Sequence, residues 1–245
     1  MADWNDTSRN AQRVGSVPRA GGDVAGRYDE GLRKHMLSIY NYMASAVLLT
    51  GIVALVSASS GITQALVGTP LIWVVMLAPL GFVLAMSFGL HKMSKSTLNL
   101  LFWAYATVMG VSLSTIFLVY TGESIATTFF ATAGAFAGLS LFGYTTKKDL
   151  SGFGSFLIMG VFGLIIASLI NLFLQSSAMS FVISGLGVLI FAGLTAYDTQ
   201  RLKEEYAHVR GTEYMGKAVI MGALNLYLDF INMFMFLLRF LGNRE

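Results

Sequence analysis

Two aspartates are the residues of this chain whose type and position point most directly to chemistry. Asp198 ends the sixth long apolar stretch and Asp229 lies near the middle of the seventh, whereas the other acidic residues among the 13 fall in the tail, the connections or the ends. A charged carboxylate at the centre of a bilayer costs about 2.5–3.5 kcal/mol on insertion scales. Asp229 must therefore face the interior of a helix bundle, with polar partners or water around it.

A pair of such carboxyl groups has a specific chemical use. Two carboxyl groups within hydrogen-bonding reach share one proton, and losing that proton adds repulsion and hydration. The freed oxygens suit a hard cation such as Ca²⁺. Depth argues against this contact, because Asp229 lies about 18 Å along its helix from Lys217 while Asp198 is close to the interface. Contact requires the last span to begin later or to bend. Otherwise Asp198 is a solvated interfacial residue and Asp229 a structural hydrogen-bonding group.

The last apolar stretch carries a polar stripe around Asp229. Gly222, Asn225, Asp229 and Asn232 lie within about 80° of one another on a helix of 100° per residue. The stripe predicts a central place for this helix, with other helices around it. For the two asparagines, a purely structural role in joining helices is the alternative.

Three basic residues are candidates for a latch that holds the carboxyl groups. His91 and Lys92 close the second apolar stretch, and Arg201 follows Asp198 by three residues. For His91 the alternative is an interfacial side chain that faces lipid headgroups.

Seven apolar stretches of roughly 20 residues must position these groups, and that is the length a helix needs to cross hydrocarbon. Backbone groups in lipid must be satisfied within the segment, so the stretches are helices. We expect an all-α integral membrane protein, in which residues 31–245 form a seven-helix bundle in the lipid bilayer. Residues 1–30 lack an apolar period, and we predict that they form a disordered cytoplasmic tail. The stretches are 36–58, 70–90, 98–120, 125–145, 153–174, 179–198 and 217–240.

Lysine and arginine alternate along the connections. They occur in the tail and after spans two, four and six, and are absent after spans one, three and five. This pattern places the N-terminus in the cytoplasm. For the localisation we expect the cell (inner) membrane, with the chain as a multi-pass protein. Seven spans leave Arg239 and Arg244 on the outer face, so either the rule is overridden there or the last segment dips in and returns. Its length favours a full span. In span four, Gly134 and Gly138 indicate either a tight helix crossing or the ordinary abundance of glycine in membrane helices.

Several classes of function lose support. The chain has no cysteine, which excludes disulfides and thiolate chemistry, and a net charge of +3 gives no case for nucleic acid. No zinc-protease, serine-hydrolase or phosphate-loop motif occurs, so we predict a non-enzymatic protein without a cofactor. An intramembrane aspartyl protease also places aspartates on two late spans, but its glycine and proline motifs are absent.

The segments TAYDTQR at 195–201 and GALNLYLDFIN at 222–232, followed by LLRFLG at 237–242, resemble the bacterial branch of the Bax inhibitor-1 (transmembrane Bax inhibitor motif) family. The resemblance spans roughly residues 30–242. It implies a seven-helix bundle with the last helix central, and a pH-sensitive calcium leak channel gated by a di-aspartyl pair, here Asp198 and Asp229. Ca²⁺ and protons are then the expected ligands. Some members modulate a membrane protease, so a regulatory protein that binds another membrane protein is the alternative function.

Overall fold

The computed structural model describes residues 20–243, with side chains described from residue 28. Within these residues the chain is helical and has no β-strand. A 3-10 helix at Ser114–Leu118 continues the fourth α-helix. The α-helices are α1 (Ala20–Ser59), α2 (Ile62–Val67), α3 (Leu71–Gly89), α4 (Lys95–Leu113), α5 (Gly122–Thr145), α6 (Ser151–Leu174), α7 (Ser177–Val209) and α8 (Met215–Leu241).

Seven of the described helices are long and apolar enough to cross a membrane, which confirms the predicted spans. They are α1 from Tyr28 onward, α3, α4 with its 3-10 continuation, and α5 to α8. Large apolar side chains remain exposed on their outer faces, such as Phe88 and Phe173. In a membrane this surface meets lipid, so its exposure carries no penalty. The six-residue α2 lies in the connection between the first two spans.

The chain divides into two compact units, residues 1–34 and 35–245. Residues 1–19 of the predicted disordered tail lie outside the described residues. The remaining part, residues 20–30, belongs to α1 and is helical, so the predicted boundary at residue 31 does not mark the start of helix. A helix that is already nucleated extends cheaply, because each added residue brings a hydrogen bond. In the first unit, Glu30 and Lys34 add an ion pair of 2.7 Å one turn apart.

The last helix is the most enclosed element of the second unit. Of its most apolar 18 residues, 67% are buried, against 33% or less in every other described span. It runs without a break from Met215 to Leu241, so it is a full span and does not turn back within the membrane. Both observations agree with the expectation that the final helix is central.

A hydrogen-bonded chain joins α8 to α1 and α4. The hydroxyl of Thr50 donates to the carbonyl oxygen of Ala106 at 2.8 Å, and the hydroxyl of Tyr227 lies 2.7 Å from the same Thr50 oxygen. Since the single proton of Thr50 is already used, Tyr227 is the donor in the second bond. Asp229 follows Tyr227 by two residues, or 200° around the helix, and therefore faces the other side of α8.

The glycine pair of α5 does not form a helix crossing within the described chain. A Cβ added to Gly134 or Gly138 would meet no atom within 4 Å. The buried face of this helix is a different one, and Gly143 lies on it. A Cβ there would collide with the carbonyl oxygen of Ala196 on α7, so Gly143 is the position where two backbones approach closely.

Candidate functional site

The length of α7 decides whether the two aspartates can meet. The predicted sixth span ends at residue 198, but α7 continues to Val209. Asp198 therefore lies 11 residues, about 16 Å, from the end of α7, and Asp229 lies 14 residues, about 21 Å, from the start of α8. The depths of the two carboxyl groups match closely. The predicted vertical separation of the two aspartates was wrong because the predicted span six ends at residue 198, whereas α7 continues for another 11 residues.

The carboxyl groups of Asp198 and Asp229 are close enough to interact directly, within hydrogen-bonding reach of each other. Only 9% of Asp198 and 4% of Asp229 is exposed, so the pair is enclosed between α7 and α8. A carboxylate accepts hydrogen bonds and cannot donate, so a hydrogen bond between the two groups requires one proton held between them. The second oxygen of Asp229, Oδ2, is buried without a hydrogen-bond partner in the described part of the chain. The site thus brings two carboxyl groups close enough to share a proton and leaves one acceptor of Asp229 without a partner.

Arg201 is the basic residue next to the pair. Its Nη1 atom lies 3.4 Å from Oδ1 of Asp198, and its guanidinium lies 5.8 Å from the ring centre of Tyr197. His91 and Lys92 are exposed, and neither forms an ion pair with an aspartate among residues 28–243. They close α3, which packs mainly against α4 and not against α7. Of the three latch candidates, the structure brings only Arg201 to the carboxyl groups.

Contacts with α5 hold the part of α7 that carries Asp198. The hydroxyl of Thr199 donates to Ser140 Oγ at 3.3 Å, and Lys203 Nζ donates to the carbonyl oxygen of Tyr144 at 2.9 Å. These bonds lie on either side of the close approach at Gly143. They fix the rotation of α7, and with it the direction in which Asp198 points.

Gln200 is a structural residue that sequence reasoning missed. Its Nε2 donates to the carbonyl oxygen of Lys148 and its Oε1 accepts from the backbone N–H of Leu150, both at 2.8 Å. A single side chain therefore ties the connection between α5 and α6 to α7. In the same connection, the carboxylate of Asp149 accepts a hydrogen bond from the backbone N–H of Ser151, the first residue of α6, at 2.8 Å. Hydrogen bonds from Ser151 hold the pKa of Asp149 below its usual range, so this contact is weakened as the pH falls through that lowered pKa.

The polar stripe of α8 does not coordinate Asp229. Asn232 donates to the carbonyl oxygen of Leu228 on its own helix at 2.8 Å, and Asn225 is half-buried. Gly222 serves packing, since a Cβ there would lie 2.8 Å from a methyl carbon of Leu202. The polar neighbour of Asp229 is thus Asp198 on α7, and not Asn225 or Asn232 on its own helix.

An aromatic layer lies beyond the carboxyl pair. Phe236 follows Asp229 by two helical turns, and Phe191 precedes Asp198 by the same number of residues. Their rings stack with centres 5.8 Å apart. Phe236 also presses against Gly187, where a Cβ would lie only 2.5 Å from the ring. Between the pair and the far end of the bundle, α7 and α8 are therefore in contact through aromatic side chains that offer no ligands to an ion.

The site has too few ligands for a resident metal. Among the described residues no group of three or more His, Cys, Asp or Glu side chains could hold a metal ion. Calcium takes 6–8 oxygen ligands, and two carboxylates supply at most four. A calcium ion at Asp198 and Asp229 would take its remaining ligands from water or from other oxygen donors.

The fold and the site define a class: a polytopic α-helical membrane protein with a buried carboxyl pair between its last two spans. The chain belongs to the family described as inhibitor of apoptosis-promoting Bax1, whose profile matches residues 32–245. The resemblance found from the two aspartate segments is thereby confirmed. The matched region contains six of the described membrane spans in full and the first from residue 32 onward, and it includes both aspartates.

Bacterial relatives match over nearly their full length. A protein of Rickettsia prowazekii is 50% identical over 220 residues, which cover 89% of this chain and 93% of that protein. A protein of Caulobacter vibrioides is 48% identical over 253 residues, covering 98% and 100%. The inner membrane protein YbhL of Escherichia coli K12 is 45% identical over 219 residues, covering 88% and 94%.

Proposed function

We propose that this protein is a passive, proton-regulated calcium leak channel of the inner membrane, with Asp198 and Asp229 as its pH sensor and gate. The observation that supports the proposal is the close approach of these two buried carboxyl groups, which can hydrogen-bond to each other only while a proton lies between them. Passive transport is favoured because the sequence has no nucleotide-binding motif that could power a pump.

A proton shared by the two carboxyl groups holds α7 and α8 together through a hydrogen bond. When it leaves, two negative charges face each other, and at a separation of about 4 Å in surroundings of intermediate polarity they repel by about 4 kcal/mol. Charged carboxylates also recruit water. Both effects push the two helices apart and loosen the aromatic layer of Phe191 and Phe236. The separated carboxylates then offer oxygen ligands to a hydrated Ca²⁺ ion.

The location follows from two supporting facts. Seven described helices have the length and composition of membrane spans, and the Escherichia coli relative is named an inner membrane protein. The lysine and arginine pattern places the N-terminus in the cytoplasm, so the connection between α7 and α8 faces the same side.

Calcium flux into liposomes tests the proposal. Purified protein is reconstituted around a calcium-sensitive dye, and flux is measured over a series of pH values. We expect wild-type flux to change with pH and Asp229→Asn to remove that dependence, because an amide cannot lose a proton in this range. Asp149→Asn is the matched control, since it makes the same chemical change on an exposed aspartate outside the pair. Flux of Asp229→Asn equal to wild type at every pH, or no wild-type flux at all, contradicts the proposal.

A second candidate is a regulatory protein that binds another membrane protein, such as a protease. The observation that favours it is the outward face of α5, where Gly134 and Gly138 pack against no other part of the described chain. Small residues in this spacing let a second helix approach closely. Gly138→Leu should then reduce co-purification of a stoichiometric membrane partner while calcium flux stays absent in both proteins. A partner retained in full by the variant would argue against this function.

A further inference from the structure

A polar cleft lies at the end of the bundle opposite to the aspartate pair. It has a volume of about 680 Å³ and is formed by the end of α6, the beginning of α7 and the last turn of α8. Ser177, which begins α7, lies 21 residues before Asp198, or about 32 Å along the helix. The cleft is therefore a separate feature from the carboxyl pair, and the aromatic layer of Phe191 and Phe236 stands between them.

The lining of the cleft is rich in neutral hydrogen-bonding groups. Four serines contribute to it together with Asn171, Gln175 and Arg239. Asn171 is fixed in place: its Nδ2 donates to Ser180 Oγ at 2.7 Å and its Oδ1 accepts from the backbone N–H of Ser176 at 3.1 Å. Such an inventory of donors suits a ligand with several acceptor oxygens.

Arg239 is the only charged residue among the described residues that line the cleft. It forms no ion pair in the described part of the chain, and its guanidinium lies 5.9 Å from the ring centre of Phe236. No acidic side chain lines the cleft, so the local potential is positive. The site therefore favours an anion and disfavours a metal cation.

The side chain of Gln175 brings a second donor group to the same cleft. This residue ends α6 with a φ of 49°, and it is the only non-glycine residue of the described chain with a positive φ. Residues other than glycine and asparagine rarely adopt this backbone conformation. At this corner the conformation places an amide side chain beside the cleft that Arg239 borders.

We propose that this cleft binds a phosphate group, and that the group belongs to an anionic phospholipid of the adjacent leaflet. A guanidinium binds phosphate through paired hydrogen bonds, and the serine and amide donors complete the contacts. The volume falls within the usual range of about 300–1,000 Å³ for small-ligand sites. The lipid source follows from the surrounding surface, since Leu172, Phe173 and Leu174 at the same end of α6 are 68%, 86% and 62% exposed. An acyl chain can lie on this surface while its headgroup enters the cleft.

The test compares lipid and free phosphate on the same protein. Wild type, Arg239→Gln, Gln175→Gly and Arg210→Gln are each purified in neutral detergent. Binding of phosphatidylglycerol, phosphatidylcholine and inorganic phosphate is measured by native mass spectrometry and by the change in Tm. Arg210→Gln is the matched control, because it removes the same charge at the opposite end of α7. Gln175→Gly removes the amide but keeps the backbone, since glycine adopts a positive φ without strain.

We expect wild type and Arg210→Gln to prefer phosphatidylglycerol over phosphatidylcholine, and Arg239→Gln to lose at least tenfold in affinity for phosphatidylglycerol. Gln175→Gly should bind more weakly than wild type while its Tm without lipid is unchanged or higher. If inorganic phosphate raises the Tm of wild type but not of Arg239→Gln, and phosphatidylglycerol has no such effect, the phosphate site stands and its source is soluble. The proposal is overturned if Arg239→Gln binds phosphatidylglycerol and inorganic phosphate as strongly as wild type does. So does full phosphatidylglycerol binding by Gln175→Gly, because the anion would then lie outside the cleft.

Discussion

Replacing Arg201 with glutamine tests how the shared proton is controlled. The guanidinium lies 3.4 Å from Asp198 Oδ1, so its charge favours the deprotonated form of the pair. Glutamine keeps a hydrogen-bonding side chain of similar length and removes only the charge. We therefore expect the proton to leave Arg201→Gln at a higher pH than wild type.

The expected size follows from the distance and the exposure of this ion pair. Two unit charges 3.4 Å apart interact by about 5 kcal/mol at an effective dielectric constant of 20. The Arg201 side chain is 44% exposed, however, and exposed pairs contribute about 0.5–1 kcal/mol when measured. One pH unit corresponds to about 1.4 kcal/mol, so the midpoint should rise by about 0.4–0.7 units.

Infrared difference spectroscopy can follow the proton without relying on ion flux. The absorption of a protonated carboxyl group is titrated in wild type and Arg201→Gln, and Asp229→Asn identifies the band that belongs to the pair. Arg210→Gln, nine residues farther along α7, controls for the change in net charge. An unchanged midpoint in Arg201→Gln, or a midpoint that falls, would refute the assignment of Arg201 as the group that regulates the pair.

Three other substitutions test the surroundings of the site. Phe236→Ala opens the aromatic layer, so calcium flux in liposomes should rise under conditions that keep the wild type closed; unchanged flux would remove the layer from the barrier. Gly143→Val should destabilise the protein in detergent by about 1–3 kcal/mol because its side chain overpacks the contact between α5 and α7, whereas Gly138→Val on the same helix should have little effect. Equal losses for the two glycines would contradict this packing. Gln200→Leu leaves two backbone groups without their partner and should cost about 1–3 kcal/mol in a denaturant titration; proteolysis of the α5–α6 connection should also become faster.

The membrane spans were predictable because hydrocarbon imposes a strong rule on composition and length. The end of α7 was not, because charged residues at 201, 203, 204 and 205 resemble a connection. The signal that could have corrected the boundary is helical periodicity: Leu202, Tyr206 and Val209 recur at steps of four and three, and all three are buried. A charged helix with one apolar face continues α7 past the predicted interface, and this extension is what brings the two aspartates to one depth.

Glycine positions were less predictable than the aspartates. The spacing of Gly134 and Gly138 suggests a crossing, yet both face outward, while the isolated Gly143 supports the closest approach. Spacing identifies residues that share a helix face, but it does not say which face meets a neighbour. That depends on the rotation of α5, which contacts with α7 such as Ser140 to Thr199 determine. Pairwise contacts between distant segments carry no local pattern, and the same holds for Gln200 and for Thr50 with Tyr227.

The carboxyl pair and the polar cleft lie at different levels of the contact between α7 and α8, and the cleft accounts for the arginine that breaks the charge rule. Arg239 lies ten residues beyond Asp229 on one continuous helix, so both groups move with α8. An arginine at this end of α8 is tolerated because it borders a polar cleft instead of hydrocarbon. Left uncompensated, its charge would repel a calcium ion that has passed the aromatic layer. A phosphate group bound at Arg239 neutralises that charge, so the proposed lipid site removes the one electrostatic barrier that Arg239 would place in the path of the proposed leak.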